Sequence, residues 1–254
     1  DAYPELITLG SIGTSELGRD LPVLRIGKED AKYHVLIHGG IHAREHMTSW
    51  LMMALVDYWA DNNISSYGDV CYHIIPMVNP DGVNLVTGEY MPGSFQYIRA
   101  QNIANNYPSI PFPSGWKANI NGIDLNLQFP AGWEQARQIK FAQGFTSPAP
   151  RDFVGDGPLI SPEALAVYNF TLSHNFQLIL AYHTQGQEIY WQFQNFAPAR
   201  ARTIGEQFAN VSGYRLADVP FSSSFAGYKD WFLQQYQRPG YTIEAGIGQN
   251  PLPI

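Results

Sequence analysis

The stretch that most constrains this chain is Val35-Leu36-Ile37-His38-Gly39-Gly40-Ile41-His42-Ala43-Arg44-Glu45-His46. A short apolar run that ends in two glycines reads as a buried strand with a sharp exit. Thr48 to Ala60 then carries apolar residues at helical spacing (Leu51, Ala54, Leu55, Tyr58). His42 and Glu45 therefore sit where strand hands over to helix. Imidazole and carboxylate are both zinc ligands, and a spacing of three at a helix start lets both reach one ion. A competing parse is H-x-x-E-H over His42 to His46, with both histidines as ligands and Glu45 as base. That parse needs His42 well inside a helix, and Gly39-Gly40 just before it argues against this.

The rest of the chain is asked what completes such a site. A length of 254 residues suits one large α/β domain or two small ones, and a core of that size needs no staples. Apolar content of 45% with 15% charged residues argues against disorder. A net charge of −7 leaves no electrostatic footprint for nucleic acid or an anionic membrane surface. The single cysteine, Cys71, excludes an internal disulfide and a cysteine-built metal site, and its apolar neighbours mark a buried structural thiol. No apolar run approaches the roughly 20 residues of a membrane span. The chain begins at Asp1 rather than methionine, so upstream processing stays open and the compartment with it.

Leu21–Ile26 and Tyr33–His38 read as adjacent strands, and Val70–Val78 as another that ends in the turn signature Asn79-Pro80-Asp81-Gly82. Residues 83–158 are loop-like, and a connection that long usually carries function. Ser161-Pro162-Glu163 opens a helix through Asn175, and Phe176–Tyr182 is a strand that delivers His183. Helices over 197–213 and 225–237 and a last strand, Gly240–Glu244, complete the set. Strands alternating with helices predict an α/β class with a mixed, mostly buried sheet, in a single domain spanning 1–254.

His183 and Glu244 each end an apolar strand, which is where open α/β sheets place their sites. His42, Glu45 and His183 make a His₂Glu set that leaves a position for water on zinc. Glu244 is then the carboxylate free to move protons. His34, His38, His73 and His174 are assigned structural roles.

At this point the chain resembles the zinc carboxypeptidase family, the one containing the pancreatic carboxypeptidases. The matching pieces run in the family's order: Gly39-Gly40-Ile41-His42-Ala43-Arg44-Glu45, Asn79-Pro80-Asp81-Gly82, Trp116-Lys117-Ala118-Asn119, Gly122-Ile123-Asp124-Leu125-Asn126, His183, and Thr242-Ile243-Glu244. The resemblance implies an α/β/α sandwich and one Zn²⁺ per chain on His42, Glu45 and His183. It makes Glu244 the general base and acid, Asp124 the partner that orients His42, and Arg44 a substrate-chain contact. Tyr228 is the candidate for the mobile phenol that family members place over the substrate, with core packing as its other reading.

Two departures narrow the reading. Lys117 stands where the family has an arginine that polarises the scissile carbonyl; it keeps the charge but not the planar fork. Asn126-Leu127 stands where carboxypeptidases have Asn-Arg to clamp a terminal carboxylate, and leucine cannot pair with one. Asp124 to Glu134, Tyr182 to Glu188, Phe225 to Phe232 and Glu244 to Gly248 are similar to bacterial γ-D-glutamyl-L-diamino acid endopeptidases. Those enzymes cut cell-wall stem peptides between the γ-carboxyl of D-glutamate and diaminopimelate. The resemblance implies peptidoglycan stem peptides as partners, and the polar residues Asn126, Gln128, Gln185 and Gln187 are expected to read that amide-rich substrate in place of a carboxylate clamp. It favours a cell-wall, spore or secreted location over a cytoplasmic one. An ordinary metallocarboxypeptidase and a murein tripeptide amidase are the alternatives within the family. A catalytically dead wall-binding module using Tyr190, Trp191 and Phe193 is the alternative outside it. Family members continue beyond the last strand into a helix that packs on the sheet; the chain stops at Ile254, so that helix is expected to be missing.

Overall fold

A computed structural model describes residues 3–64 and 68–254. Among the described residues the strands are β1 (Ile7–Thr14), β2 (Asp20–Ile26), β3 (Tyr33–His38), β4 (Val70–Ile75), β5 (Phe176–His183), β6 (Glu188–Tyr190), β7 (Arg215–Ala217) and β8 (Gly240–Glu244). They form one mixed sheet in the order β1-β2-β4-β3-β5-β8-β6-β7. Its centre, β4-β3-β5-β8, is parallel, which fits the near-continuous apolar runs of those strands.

The helices are α1 (Met47–Asp61), α2 (Pro80–Thr87), α3 (Phe95–Ala104), α4 (Trp133–Ala142), α5 (Pro162–Leu172), α6 (Ala201–Ser212) and α7 (Tyr228–Tyr236). α1 covers one sheet face through Met52 and Val56 on Ile37 and Ile74, and α6 extends that layer through Ile204 and Phe208 around Tyr241. α5 and α7 cover the other face, where Val167, Trp231 and Phe232 pack with Leu36, Ile75 and Ile179. Full burial of a side chain such as Phe232 is worth about 2 kcal/mol, so each layer is held by its apolar face. The expected α/β/α sandwich is the architecture observed.

Several local expectations are corrected. β2 and β3 are not neighbours, because β3 and β4 are joined through α1 and pair in parallel, and β2 joins the far edge of β4 antiparallel. The fourth strand stops at Ile75, before Pro76, which has no N–H for a ladder. Asn79-Pro80-Asp81-Gly82 is not a turn but the start of α2: Asn79 caps it by accepting from Gly82 N at 3.0 Å, and Pro80 takes the first turn. The same Asn79 donates to Ala118 O at 3.0 Å and Ile41 O at 3.3 Å, which ties together two segments that carry site residues. The 83–158 stretch holds most of α2, all of α3 and α4, and a satellite core around Trp116.

Candidate active site

Gly39 and Gly40 are what bring the exit of β3 beneath α1. Gly40 has φ +60°, and a Cβ there would meet Ser49 Oγ at 2.5 Å; a Cβ at Gly39 would meet Thr48 O at 2.8 Å. In that close approach Gly40 N donates to Thr48 Oγ1 at 2.7 Å, and Thr48 Oγ1 donates to Glu45 O at 2.8 Å. His42 is extended and is followed by a single 3-10 turn, Ala43–Glu45, before α1 begins. The H-x-x-E-H helix therefore does not form, and His46 borders a separate cavity with Trp50 and Ile254.

β5 brings His183 to the same place from the adjacent strand. His42 Nδ1 lies 3.0 Å from Glu45 Oε2 and 3.0 Å from His183 Nδ1, and His183 Nδ1 lies 3.1 Å from Glu45 Oε2. All three side chains are buried. Two imidazole nitrogens and a carboxylate oxygen facing one point are the donor set of a catalytic zinc, so these residues fit the ion. His42 Nε2 lies 3.1 Å from Asp124 Oδ1; donating its proton there leaves Nδ1 as the lone-pair nitrogen.

The charges around these donors are tightly paired. Burial works to lower the His42 pKa, but the Glu45 and Asp124 carboxylates outweigh it and hold it above its ordinary value. Burial works to raise Glu45 and Asp124, yet both sit below the ordinary carboxylate range, Glu45 through His42 and His183, Asp124 through Lys117 and His42. Lys117 Nζ is 3.2 Å from Asp124 Oδ2, so this one aspartate braces both a candidate ligand and the candidate oxyanion cation. Glu244 differs. Burial pushes it up to about 7, Glu45 adds to the shift, and His183, Lys117 and Arg44 oppose it.

His42, Glu45, His183, Glu244, Lys117, Arg44 and Asn126 all line one cavity of about 290 Å³ at the carboxyl ends of β3, β5 and β8. An adjoining cavity of about 300 Å³ shares Lys117 and Asn126 and adds Lys140, Arg151 and Asp152. Lys140 pairs with Asp152 at 2.7 Å, and Arg151 also pairs with Asp152. Sequence reasoning missed these three. They stand in no ligand-like spacing, and only the fold brings α4 and the 150s loop against Asp124.

Other expected site residues lie elsewhere. Tyr228 is fully buried in the core, its hydroxyl 2.9 Å from Thr171 Oγ1 and its ring edge-on to His38 and Phe129, so packing and not a mobile phenol is its place. Leu127 is packed with Trp133, Ala136, Val154 and Ala226, and reaches only the adjoining cavity. Gln128 is buried and spent on backbone, donating to Val154 O and Gly157 O and accepting from Ile160 N and Ser161 N. Gln185 accepts from Gly248 N at 3.3 Å and borders a side cavity with Arg44. Gln187 is exposed. Of the three aromatic residues considered for wall binding, Tyr190 lines the central cavity, and Trp191 and Phe193 pack in the core clusters.

The model of the zinc carboxypeptidase family matches residues 1–247. The chain belongs to the zinc carboxypeptidase family. The cofactor of that family is Zn²⁺, and His42, Glu45 and His183 are a donor set that fits it. The chain is 42% identical, over its whole length, to γ-D-glutamyl-L-diamino acid endopeptidase 1 of Lysinibacillus sphaericus, and spans 64% of that protein. It is 35% identical over its whole length to the uncharacterised protein YqgT of Bacillus subtilis (strain 168), of which it spans 68%. Among solved structures, carboxypeptidase A from Helicoverpa armigera superposes with a TM-score of 0.72 at 20% identity, covering 98% of this chain and 62% of that one. That likeness is one of fold.

Proposed function

We propose that residues 1–254 are a single zinc peptidase domain that hydrolyses the γ-D-glutamyl-diamino acid bond of peptidoglycan stem peptides. The observation that carries this reading is the grouping of His42, Glu45, His183 and Glu244 around one cavity in a chain 42% identical to a γ-D-glutamyl endopeptidase. His42, Glu45 and His183 would hold the zinc ion, which when bound polarises the scissile carbonyl and acidifies a water. Glu244 takes the proton of the attacking water and passes it to the departing amine. Lys117 faces the oxygen on which negative charge grows, held in place by Asp124. Asn126 Oδ1 accepts from Tyr228 N at 3.0 Å, which leaves its amide N–H groups for substrate, and Arg44 lines the cavity wall.

The adjoining cavity supports the substrate class. Lys117, Lys140 and Arg151 outnumber Asp124 and Asp152 there, which suits a substrate that carries free carboxylates beside the cleaved amide. The same cations favour a second reading, removal of C-terminal amino acids, because Arg151 could hold a terminal carboxylate that Leu127 cannot. A peptidoglycan substrate favours action at the wall, in a spore or outside the cell over recycling of fragments in the cytoplasm.

Mass spectrometry of products from L-Ala-γ-D-Glu-diaminopimelate, with and without D-Ala extensions, separates the two. Release of L-Ala-D-Glu from both peptides is the expected result. Stepwise loss of single C-terminal residues would assign a carboxypeptidase instead.

A further inference from the structure

A second cluster of candidate metal-binding side chains lies towards the amino ends of β3 and β4, away from the catalytic residues. β3 and β4 pair in parallel with His34 directly opposite Cys71, and His73 follows Cys71 two residues on, on the same face. His34 Nδ1 is 3.0 Å from His73 Nε2, and Cys71 Sγ is 3.5 Å from His73 Nε2. The three donor atoms all lie within 4.8 Å of one another. Cys71 and His73 are buried, and His34 is half-buried. We propose that His34, Cys71 and His73 form a second metal site that takes one zinc-class cation, separate from the catalytic centre.

The donor chemistry selects the ion. One thiolate and two imidazoles suit borderline and soft cations such as zinc, and without a carboxylate or carbonyl the set does not suit magnesium or calcium. Three protein donors leave a fourth position for water or another ligand. Binding deprotonates the Cys71 thiol, and the proton leaves to solvent.

The surroundings are those of a structural rather than a catalytic site. Phe170, His174 and Phe176 enclose His73, with ring centroids 5.8, 5.0 and 5.1 Å away. Gln177 Oε1 accepts from His34 N at 2.6 Å and anchors the start of β3. Arg25, paired with His73 across the sheet, is turned to Glu29 at 3.1 Å. A cation here would pin β3 to β4 at the end remote from the catalytic residues.

The single cysteine makes the test unambiguous, because any thiolate-to-metal absorption must come from Cys71. The metal-free full chain would be titrated with Co²⁺ and followed in the near-ultraviolet and visible. Two equivalents bound, one of them with a thiolate charge-transfer band, is the expected result. Cys71→Ser and His34→Asn should each lose that band and one equivalent, with peptidase activity within about twofold of wild type. Binding of one equivalent with no thiolate band by folded wild-type protein would overturn the proposal and leave a hydrogen-bonded His-Cys-His cluster. Loss of activity in the Cys71→Ser variant despite retained folding would overturn the separation of the two sites.

Discussion

The two histidine clusters of this molecule stand at opposite ends of the parallel sheet centre, one on β3 and β4 at their amino ends and the other at the carboxyl ends of β3 and β5. His34 is near the start of β3 and His42 follows its exit, and residues 34 to 38 alone rise about 13 Å along the strand. Both clusters place donor nitrogens about 3 Å apart in buried surroundings. They differ in what lies next to them. The carboxyl-end cluster includes a carboxylate, is braced by Asp124, and opens into a cavity lined by Lys117, Arg44 and a half-buried Glu244. The amino-end cluster is walled by aromatic rings. Convergent ligands are thus a property of the sheet at either end, whereas hydrolysis needs a cavity, a free base and a cation beside them.

That contrast can be broken by substitution. Glu244→Gln keeps the shape and removes the base, and should lower kcat on the order of 10,000-fold with zinc content unchanged. Steady-state kinetics with metal analysis checks both parts. Lys117→Ala should cost about 100- to 1,000-fold, mostly in kcat, as loss of an oxyanion partner does. Asp124→Asn cannot hold the His42 tautomer as firmly and should cost about 10- to 100-fold in activity or zinc affinity; a competitive chelator titration reads the latter.

A third buried acid sharpens the comparison with the smallest effect. Glu163 is pushed by burial up to about 7, like Glu244, but faces Glu16 N and the Asn119 side chain, remote from any ligand set. Its folded pKa lies above the ordinary value of 4.5, so its contribution to stability is complete below about pH 4.5 and is lost as pH rises through about 7. Glu163→Gln removes that ionisation. Relative to wild type the variant should gain stability between pH 5 and 8, by at most about 3 kcal/mol, with little change in kcat. Denaturant melts at the two pH values measure it, and equal pH dependence in both proteins would refute it.

The ends of the buried strands were the legible part of the sequence. Val35-Leu36-Ile37 and Leu178-Ile179-Leu180 announce parallel strands, and each hands a histidine to the same edge of the sheet. Gly39-Gly40 marked the sharp exit correctly, since a side chain at either position collides with α1. Strand neighbours were not legible: nothing in Leu21–Ile26 says that it pairs with β4 rather than β3. β6 and β7, three residues each, are too short to show a period. The Tyr228 phenol and Gln128 are polar groups satisfied in the interior, which a sequence motif cannot tell from groups that face substrate. The Lys140–Asp152–Arg151 group and the His34–Cys71–His73 cluster depend on contacts between separate segments, which no local motif announces.

The most direct test of the account is zinc-edge anomalous diffraction from crystals of the purified protein. A peak bounded by His42 Nδ1, Glu45 and His183 Nδ1, in protein that cleaves stem peptides, is the predicted result. Active protein with no anomalous peak between those three residues would contradict it.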